Sequence, residues 1–466
     1  MPLLRTVSLV AAALVAGGAG AAQTRVSTAW TGTYTLHGKG AATVTLTRRR
    51  ALVALGTGHA GTQAVTVTHR RDLITFSLPG RPAVLFTGRL GRRRIDGSVR
   101  QGTVRGTFHL RPGGSPALVA PGFYAARAPL AVVDDPFGPA RLVDLDSGEV
   151  HGLYPSGARF QIGAGFATQA PAVGTARFGA AAAVLPGGRA GRVAVRQLEV
   201  RFRSGTATLA GTLTLPIGPG PHPAVAFVHG SGLTTRAYLP DLQALLVRCG
   251  VAVLGYDKRG TGQSAGRYPG ESPTSAAIDV LARDAEAAAR FLGAQPEIDA
   301  RRVGLAGHSQ AGWIIPLAAS RERAVHFAVV FSGPAVTAGE NDVYQDLAGE
   351  GVTQAELTDD EIDAEVLRRG PGGVDPLPWI RELRIPALWV YGGRDRHIPP
   401  RLSARRLEPI AQEPGRDFTI AVFPGGNHAL VETETGLTAE MLRSNTFAPG
   451  MFARVREWLL ARGLGT

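Results

Sequence analysis

Residues Arg302–Ser320 read R-V-G-L-A-G-H-S-Q-A-G-W-I-I-P-L-A-A-S, and this stretch decides how the chain folds. Val303–Ala306 is an apolar run of strand length, Gly307 interrupts it, and Trp313–Ala319 is apolar enough to open a buried helix. Ser309 therefore falls on a sharp strand-to-helix turn. Such a turn strains the backbone and lifts the serine hydroxyl to the carboxyl edge of a sheet, an arrangement called a nucleophile elbow. Small residues must flank the serine because strand and helix approach closely there. The common pattern is G-x-S-x-G; here Ala311 holds the fifth position and Gly312 follows. Alanine is small enough to be tolerated.

Outward from the elbow, strands alternate with helices from Val195 onward, the signature of a mostly parallel sheet. Strands are predicted at Leu198–Phe202, Ala207–Leu215, Ala224–Val228, Val251–Tyr256, Val303–Ala306, Phe327–Phe331, Ala387–Tyr391 and Phe418–Phe423. The helix expected over Ala276–Leu292 sets Leu281, Ala285, Ala288 and Leu292 on one face. Phe452, Val455, Trp458 and Leu459 give a C-terminal helix a similar face. Cys249 is the only cysteine, which excludes an intramolecular disulfide, and it reads as a buried structural thiol.

Nearer the start, residues 1–22 carry one charge, Arg5, an apolar stretch Val7–Ala16, and an A-x-A site at Ala19-Gly20-Ala21. The stretch is too short to span a bilayer and reads as a secretory signal peptide, predicting an exported, periplasmic or extracellular protein. Residues 23–116 alternate apolar and polar over Ala42–Thr47, Ala64–Thr68 and Leu73–Leu78, which predicts a meander or small barrel. Arg25 through Arg111 includes fifteen basic residues against two acids, Asp72 and Asp96, so this segment carries the chain's whole formal charge of +13. Two readings fit that balance: a solvated scaffold, or weak association with an anionic envelope surface. Nucleic acid is disfavoured because aromatic residues are sparse here. Residues 117–192 continue in short β-like pieces, and Gly179–Gly191 reads as a linker. His109 and His151 are isolated and are expected to be solvated or packed.

A serine alone is a poor nucleophile; it needs a base, and the base needs an orienting acid. In sheets with such an elbow the order along the chain is Ser, acid, His. I-P-A-L-W-V-Y-G-G-R-D places Asp395 just after a strand, and F-T-I-A-V-F-P-G-G-N-H places His428 just after the next. Competitors are His397 for the base, and Glu340 or Asp342 for the acid. His308 is expected to point away from the reacting centre. V-H-G-S-G, Val228–Gly232, follows another strand, and the N–H groups of Ser231 and Gln310 are the expected oxyanion donors. His229 is expected to brace that loop. L-G-Y-D-K-R-G-T-G-Q-S, Leu254–Ser264, lacks the G-x-x-x-x-G-K-[ST] spacing of a phosphate loop, and Asp257 and Arg259 are expected to pair within it. With no H-E-x-x-H, cysteine cluster or dinucleotide fingerprint, no metal or cofactor is implied.

Together V-H-G-S-G, Y-D-K-R-G-T-G-Q-S, G-H-S-Q-A-G-W, F-S-G-P, Y-G-G-R-D and N-H resemble the bacterial α/β-hydrolase family related to dienelactone hydrolases and prolyl-oligopeptidase-type catalytic domains. Within it the chain most resembles exported carboxylesterases with an N-terminal β domain. The resemblance covers about residues 195–466, within a catalytic domain expected over 193–466. It implies an eight-stranded, mostly parallel α/β-hydrolase sheet preceded by an all-β region, with a small helical cap at 337–379. The helix-like Ala355–Arg369 fits the cap. The chemistry implied is hydrolysis of a small-molecule carboxylic ester, of short or medium acyl chain, by Ser309, Asp395 and His428. A peptidase or amidase uses the same triad, and a non-catalytic surface-binding protein is the reading from another class.

Overall fold

The computed structural model describes residues 28–35, 39–46, 50–55, 63–78, 84–101, 104–112, 121–134, 139–156, 159–168 and 171–466. The expected signal peptide, 1–22, lies outside the described residues. Two compact units emerge. The first holds the β-rich N-terminal part; the second holds Val193–Thr466 together with the short pieces Arg127–Ala131 and Val143–Val150.

In the first unit, eight antiparallel strands between Thr28 and Pro112 close into a barrel, the first strand pairing with both the second and the eighth. Its interior is aromatic: Phe76 stacks on Phe86 at 4.8 Å, and Phe108 meets Phe86 edge-on at 5.4 Å. Alternation explains this. Successive side chains point to opposite faces, so the apolar set faces in while arginines such as Arg100 and Arg105 face out. A second closed barrel of eight strands runs from Gly122 to Val193. Its last two strands, Ala182–Leu185 and Gly188–Val193, occupy the segment expected as a linker, which is thereby corrected. Pairing across the hairpin orders Gly- and Ala-rich sequence of weak local strand preference.

The second unit is built on one eight-stranded sheet, the fold class expected from sequence. Its strands are β1 (Arg196–Ser204), β2 (Ala207–Leu215), β3 (His222–Val228), β4 (Ala252–Tyr256), β5 (Ile298–His308), β6 (Phe327–Phe331), β7 (Ala387–Gly392) and β8 (Phe418–Phe423). The order across the sheet is β1-β2-β4-β3-β5-β6-β7-β8, antiparallel at β1, β2 and β4 and parallel from there on. The helices are α1 (Pro240–Arg248), α2 (Ser275–Gly293), α3 (Ala311–Arg321), α4 (Ala338–Ala348), α5 (Asp359–Arg369), α6 (Leu377–Glu382), α7 (Pro400–Ala411), α8 (Thr438–Met441) and α9 (Met451–Leu460). The inner strands β3, β4, β6 and β7, and β5 from Val303 onward, are buried along nearly all their length, which is why they read as continuous apolar runs rather than alternating ones.

Helices α4 to α6 form the insertion between β6 and β7 where the cap was expected. Both α4 and α5 begin with a capping box, Thr337 with Glu340 and Thr358 with Glu361. The Glu340 carboxylate also takes Nη1 and Nη2 of Arg406 at 2.7 and 2.5 Å. Arg396 and Arg401 hold Asp359 and Asp360 of α5. No helix among the described residues is long and apolar enough to cross a membrane.

Candidate active site

Strand β5 ends at His308 and α3 begins at Ala311, leaving Ser309 and Gln310 to turn the chain. Ser309 adopts φ +60°, in the left-handed region that costs a side-chain-bearing residue strain. Its N–H donates to the Phe331 carbonyl at 3.0 Å, which helps hold that conformation. The close approaches fall at Gly307 and Gly312. A Cβ on Gly307 would meet the Val228 carbonyl oxygen at 2.6 Å, and one on Gly312 would meet the Gly333 backbone at 2.5 Å. Glycine is thus demanded one position beyond the common pattern. The Ala311 methyl is fully buried beside the turn.

The structure brings three of the singled-out side chains together. The Ser309 hydroxyl lies 3.1 Å from His428 Nε2, and His428 Nδ1 donates to Asp395 Oδ2 at 2.8 Å. Each follows its own strand: β5, β8 and β7. Asp395 is 1% exposed, and its other oxygen accepts from the N–H groups of His397 and Ile398 at 2.7 and 2.9 Å. Burial pushes both charged forms down: His428 falls below its ordinary value, while Asp395 rises above its own, countered by the His397 ring and by the two N–H groups. A neutral imidazole that accepts at Nε2 is the form a general base requires. The loop carrying His428 is braced by Asn427, whose Oδ1 accepts from the N–H groups of Ala429 and Val431. Tyr344 of α4 donates to the Asp395 carbonyl at 2.6 Å.

Opposite lies the loop after β3. A Cβ on Gly230 would stand 3.2 Å from Ser309 Cβ, so this loop runs directly against Ser309. Among the described residues, neither the Ser231 N–H nor the Gln310 N–H has a hydrogen-bond partner. Unpartnered amides beside a serine hydroxyl, that of Gln310 buried and that of Ser231 at the exposed mouth of its loop, suit an oxyanion. His229 braces the loop as expected, Nε2 donating to the Tyr256 carbonyl at 2.6 Å, and burial holds its ring down at about 3. Lys258, which sequence reasoning left without a role, is 1% exposed; burial pushes it down to about 7. It donates to the carbonyls of Gly230 and Gly232, the latter at 3.0 Å.

Several expectations need correction. Asp257 does not pair with Arg259. It accepts from Arg236 Nε and Nη2 at 3.1 and 3.0 Å and from the N–H of Gln263, while Arg259 pairs with Asp284 of α2. The two neighbours in sequence sit on opposite sides of their turn, so each finds a distant partner. His308 does not point away. Its ring lies 4.5 Å from that of His428, its Nε2 donates to the His428 carbonyl at 2.8 Å, and its Nδ1 therefore accepts from the Tyr238 hydroxyl at 2.8 Å. One hydrogen-bonded chain of fixed direction thus links the loop of His428 to the loop after β3. Burial holds His308 down at about 3, which keeps that direction. His397 also lies nearer than expected, 4.7 Å ring to ring from His428, but the acid's bond goes to His428. Glu340 is committed to Arg406 and its capping box. Asp342 is on α4, its carboxyl raised by burial and by Asp346. No group of three or more His, Cys, Asp or Glu side chains among the described residues is placed to hold a metal ion. Cys249 is fully buried, its thiol pushed up to about 12 by that burial.

Known proteins match part of the chain. The family described as serine aminopeptidase S33 matches residues 219–355. The esterase EstD of Thermotoga maritima is 26% identical over 281 residues, covering 54% of this chain; the chain spans 65% of that esterase's length. Among solved structures, an esterase of Pyrococcus furiosus is 17% identical, covering 57% of this chain and 91% of its own, with a TM-score of 0.40. A dienelactone hydrolase of Anabaena variabilis is 17% identical, covering 57% and 98%, with a TM-score of 0.37.

Proposed function

The chain belongs to the α/β-hydrolase superfamily, and on that basis we propose that it is an exported serine hydrolase that cleaves carboxylic esters of short or medium acyl chain. The observation that carries the reading is the continuous array Ser309–His428–Asp395 at 3.1 and 2.8 Å. Ser309 Oγ attacks the ester carbonyl carbon while its proton passes to His428 Nε2. Asp395 fixes the tautomer that leaves Nε2 free to accept, and stabilises the imidazolium that forms. The negative charge that develops on the carbonyl oxygen meets the N–H groups of Ser231 and Gln310. Collapse breaks the ester C–O bond, and the departing alkoxide takes the proton from His428. Water, deprotonated by the same imidazole, then releases the acid from the acyl-enzyme. Export rests on the signal-like residues 1–22.

An aminopeptidase or amidase reading is favoured by one specific observation, the family match over residues 219–355. The esterase relative supports the ester reading. Assay of the purified full chain on nitrophenyl esters and aminoacyl anilides decides between them. Ester turnover that disappears in Ser309→Ala is the expected result; turnover of anilides alone would replace the esterase reading. Fractionation of producing cells tests export, and retention of an uncleaved chain in the cytoplasm would refute it.

A further inference from the structure

One of the chain's two lysines is buried where no carboxylate holds it. Lys258 stands just beyond β4, 1% exposed. An ammonium has three donors. Two go to the carbonyl oxygens of Gly230 and Gly232, and the face of the Tyr268 ring lies 5.5 Å from Nζ. The Tyr268 hydroxyl in turn accepts from the Gly232 N–H at 3.1 Å. Burying a cation costs several kcal/mol unless its surroundings offset it, so two main-chain carbonyls and an aromatic face are a specific use of that residue.

The consequence follows from the planarity of the peptide bond. In a trans peptide the carbonyl of one residue and the N–H of the next lie in one plane and point in opposite directions. Holding the Gly230 oxygen therefore sets the direction of the Ser231 N–H. Holding the Gly232 N–H on Tyr268 sets the next plane. The two peptide units that meet at Ser231 are each tied down by their far polar group, and the N–H left without a partner is that of Ser231, in the loop that runs against Ser309. Arg236 and Thr261 reinforce the same loop, through Asp257 and the Thr234 carbonyl respectively.

We propose that Lys258 is a positioning residue for ester hydrolysis, its ammonium clamping the carbonyls of Gly230 and Gly232 so that the Ser231 N–H is pre-aimed at the developing oxyanion. The proposal rests on the reading of Ser309 as nucleophile and Ser231 as an oxyanion donor. It does not require Lys258 to touch substrate. Preorganisation of this kind acts on the transition state and not on the ground state, so its loss lowers kcat and leaves KM nearly unchanged.

The test uses the full chain, Lys258→Met and Tyr268→Phe, with three readouts. These are kcat and KM on a nitrophenyl ester, affinity for a trifluoromethyl ketone, and labelling of Ser309 by a fluorophosphonate. The ketone forms a tetrahedral adduct whose oxygen occupies the oxyanion position; its affinity reports the donor directly. In Lys258→Met, kcat is expected to fall by about 30-fold or more, towards the 10²–10³ that loss of a whole donor costs. KM stays within about threefold, and ketone affinity falls by the same factor as kcat/KM. Tyr268→Phe shows the same parallel loss at about three- to tenfold. A folded Lys258→Met with kcat within threefold of wild type overturns the proposal, as does a loss of kcat without a matching loss of ketone affinity. Should Lys258→Met fail to fold, unchanged kcat and ketone affinity in Tyr268→Phe overturns it. A wild-type enzyme that is not labelled on Ser309 instead refutes the serine-hydrolase reading beneath it, and the two failures are told apart.

Discussion

The barrel unit and the sheet unit use arginine in opposite ways. In the sheet unit, Arg236, Arg259 and Arg396 are 19%, 13% and 16% exposed along their side chains and reach Asp257, Asp284 and Asp359. In the first barrel, Arg70, Arg71, Arg92, Arg93, Arg94, Arg100, Arg105 and Arg111 are all exposed. Residues 23–116 set fifteen basic residues against two acids, whereas basic and acidic residues balance over the rest of the chain. An arginine that is buried with a partner holds backbone segments in place; an arginine in excess of carboxylates faces water. The local balance of charge, more than the residue type, decides which it becomes.

The largest effect expected anywhere is in the sheet unit. Ser309→Ala should lower kcat on esters by about 10⁶-fold. Retained activity above a few per cent, with contaminating esterases excluded, would mean the nucleophile lies elsewhere. Asp395→Asn should cost about 10⁴ in kcat through the wrong imidazole tautomer. Glu340→Gln breaks an ion pair with Arg406 instead, while the glutamine oxygen can still cap α4, so it should lower the melting temperature and leave kcat within a few-fold. Were the kinetic effects of the two substitutions reversed, the acid would have to be reassigned.

That Ser309, Asp395 and His428 come together was legible in the sequence because each follows its own apolar strand and they stand in a fixed order along the chain. The eight strands of the sheet were legible for the same reason: the inner ones, buried on both faces, carry apolar runs such as Ala224–Val228 and Phe327–Phe331. What escaped depends on contacts between distant segments. Ala182–Leu185 and Gly188–Val193 contain little that favours a strand; barrel pairing orders them. Arg259 was assigned to its neighbour Asp257 because proximity along the chain was the available guide, yet Asp284 lies one helix away. Lys258 looked like one more charge in a polar loop. Only the path of the Gly230–Gly232 backbone shows that its amine is enclosed.

The contrast in arginine use is tested next by stability. Arg259→Met strands the Asp284 carboxylate, whose pair is nearly dry, and should destabilise the sheet unit by about 3–5 kcal/mol. Thermal unfolding should show this as a drop of roughly 10 °C. Arg92→Gln, in the exposed turn of the first barrel, should move the melting temperature by less than about 2 °C. Equal effects would erase the distinction between the units.

A smaller effect separates the units by pH. His229 and His308 both have folded values near 3, lowered by burial from about 6.5. Above pH 6.5 the folded and unfolded chains both carry these rings neutral, and they contribute no pH dependence. Below it the unfolded chain binds protons that the folded chain cannot, so stability falls as pH falls, by about 2 kcal/mol per histidine at pH 5. Melting of the sheet unit should therefore shift downward from pH 7 to pH 5. Since burial also lowers His428, the acid limb of kcat/KM should lie below pH 6.5. A sheet-unit melting temperature flat over that range would show the two imidazoles to be protonated in the folded protein.

The smallest effect concerns the exposed arginines of the first barrel, and it depends on salt. Arg92, Arg93 and Arg94 stand together in one turn, and the two acids of residues 23–116 are already engaged: Asp96 accepts from Arg94 at 3.0 Å and from His109 at 2.9 Å, and Asp72 from Arg89 at 3.4 Å. Exposed pairs of this kind contribute little energy, about 0–1 kcal/mol, so they leave most of the positive field intact. An anionic surface should feel that field over a Debye length of about 8 Å at physiological ionic strength and lose it as salt rises. The full chain should therefore sediment with vesicles rich in anionic lipid at low salt and stay in solution at high salt. Replacing Arg92, Arg93 and Arg94 together by Gln should weaken the low-salt binding severalfold while ester turnover in solution stays at the wild-type rate, because Ser309, His428 and Asp395 all lie in the sheet unit. Absence of sedimentation even at low salt would leave the arginines as the solvated outer face of a scaffold, and the contrast between the units would then be one of packing alone.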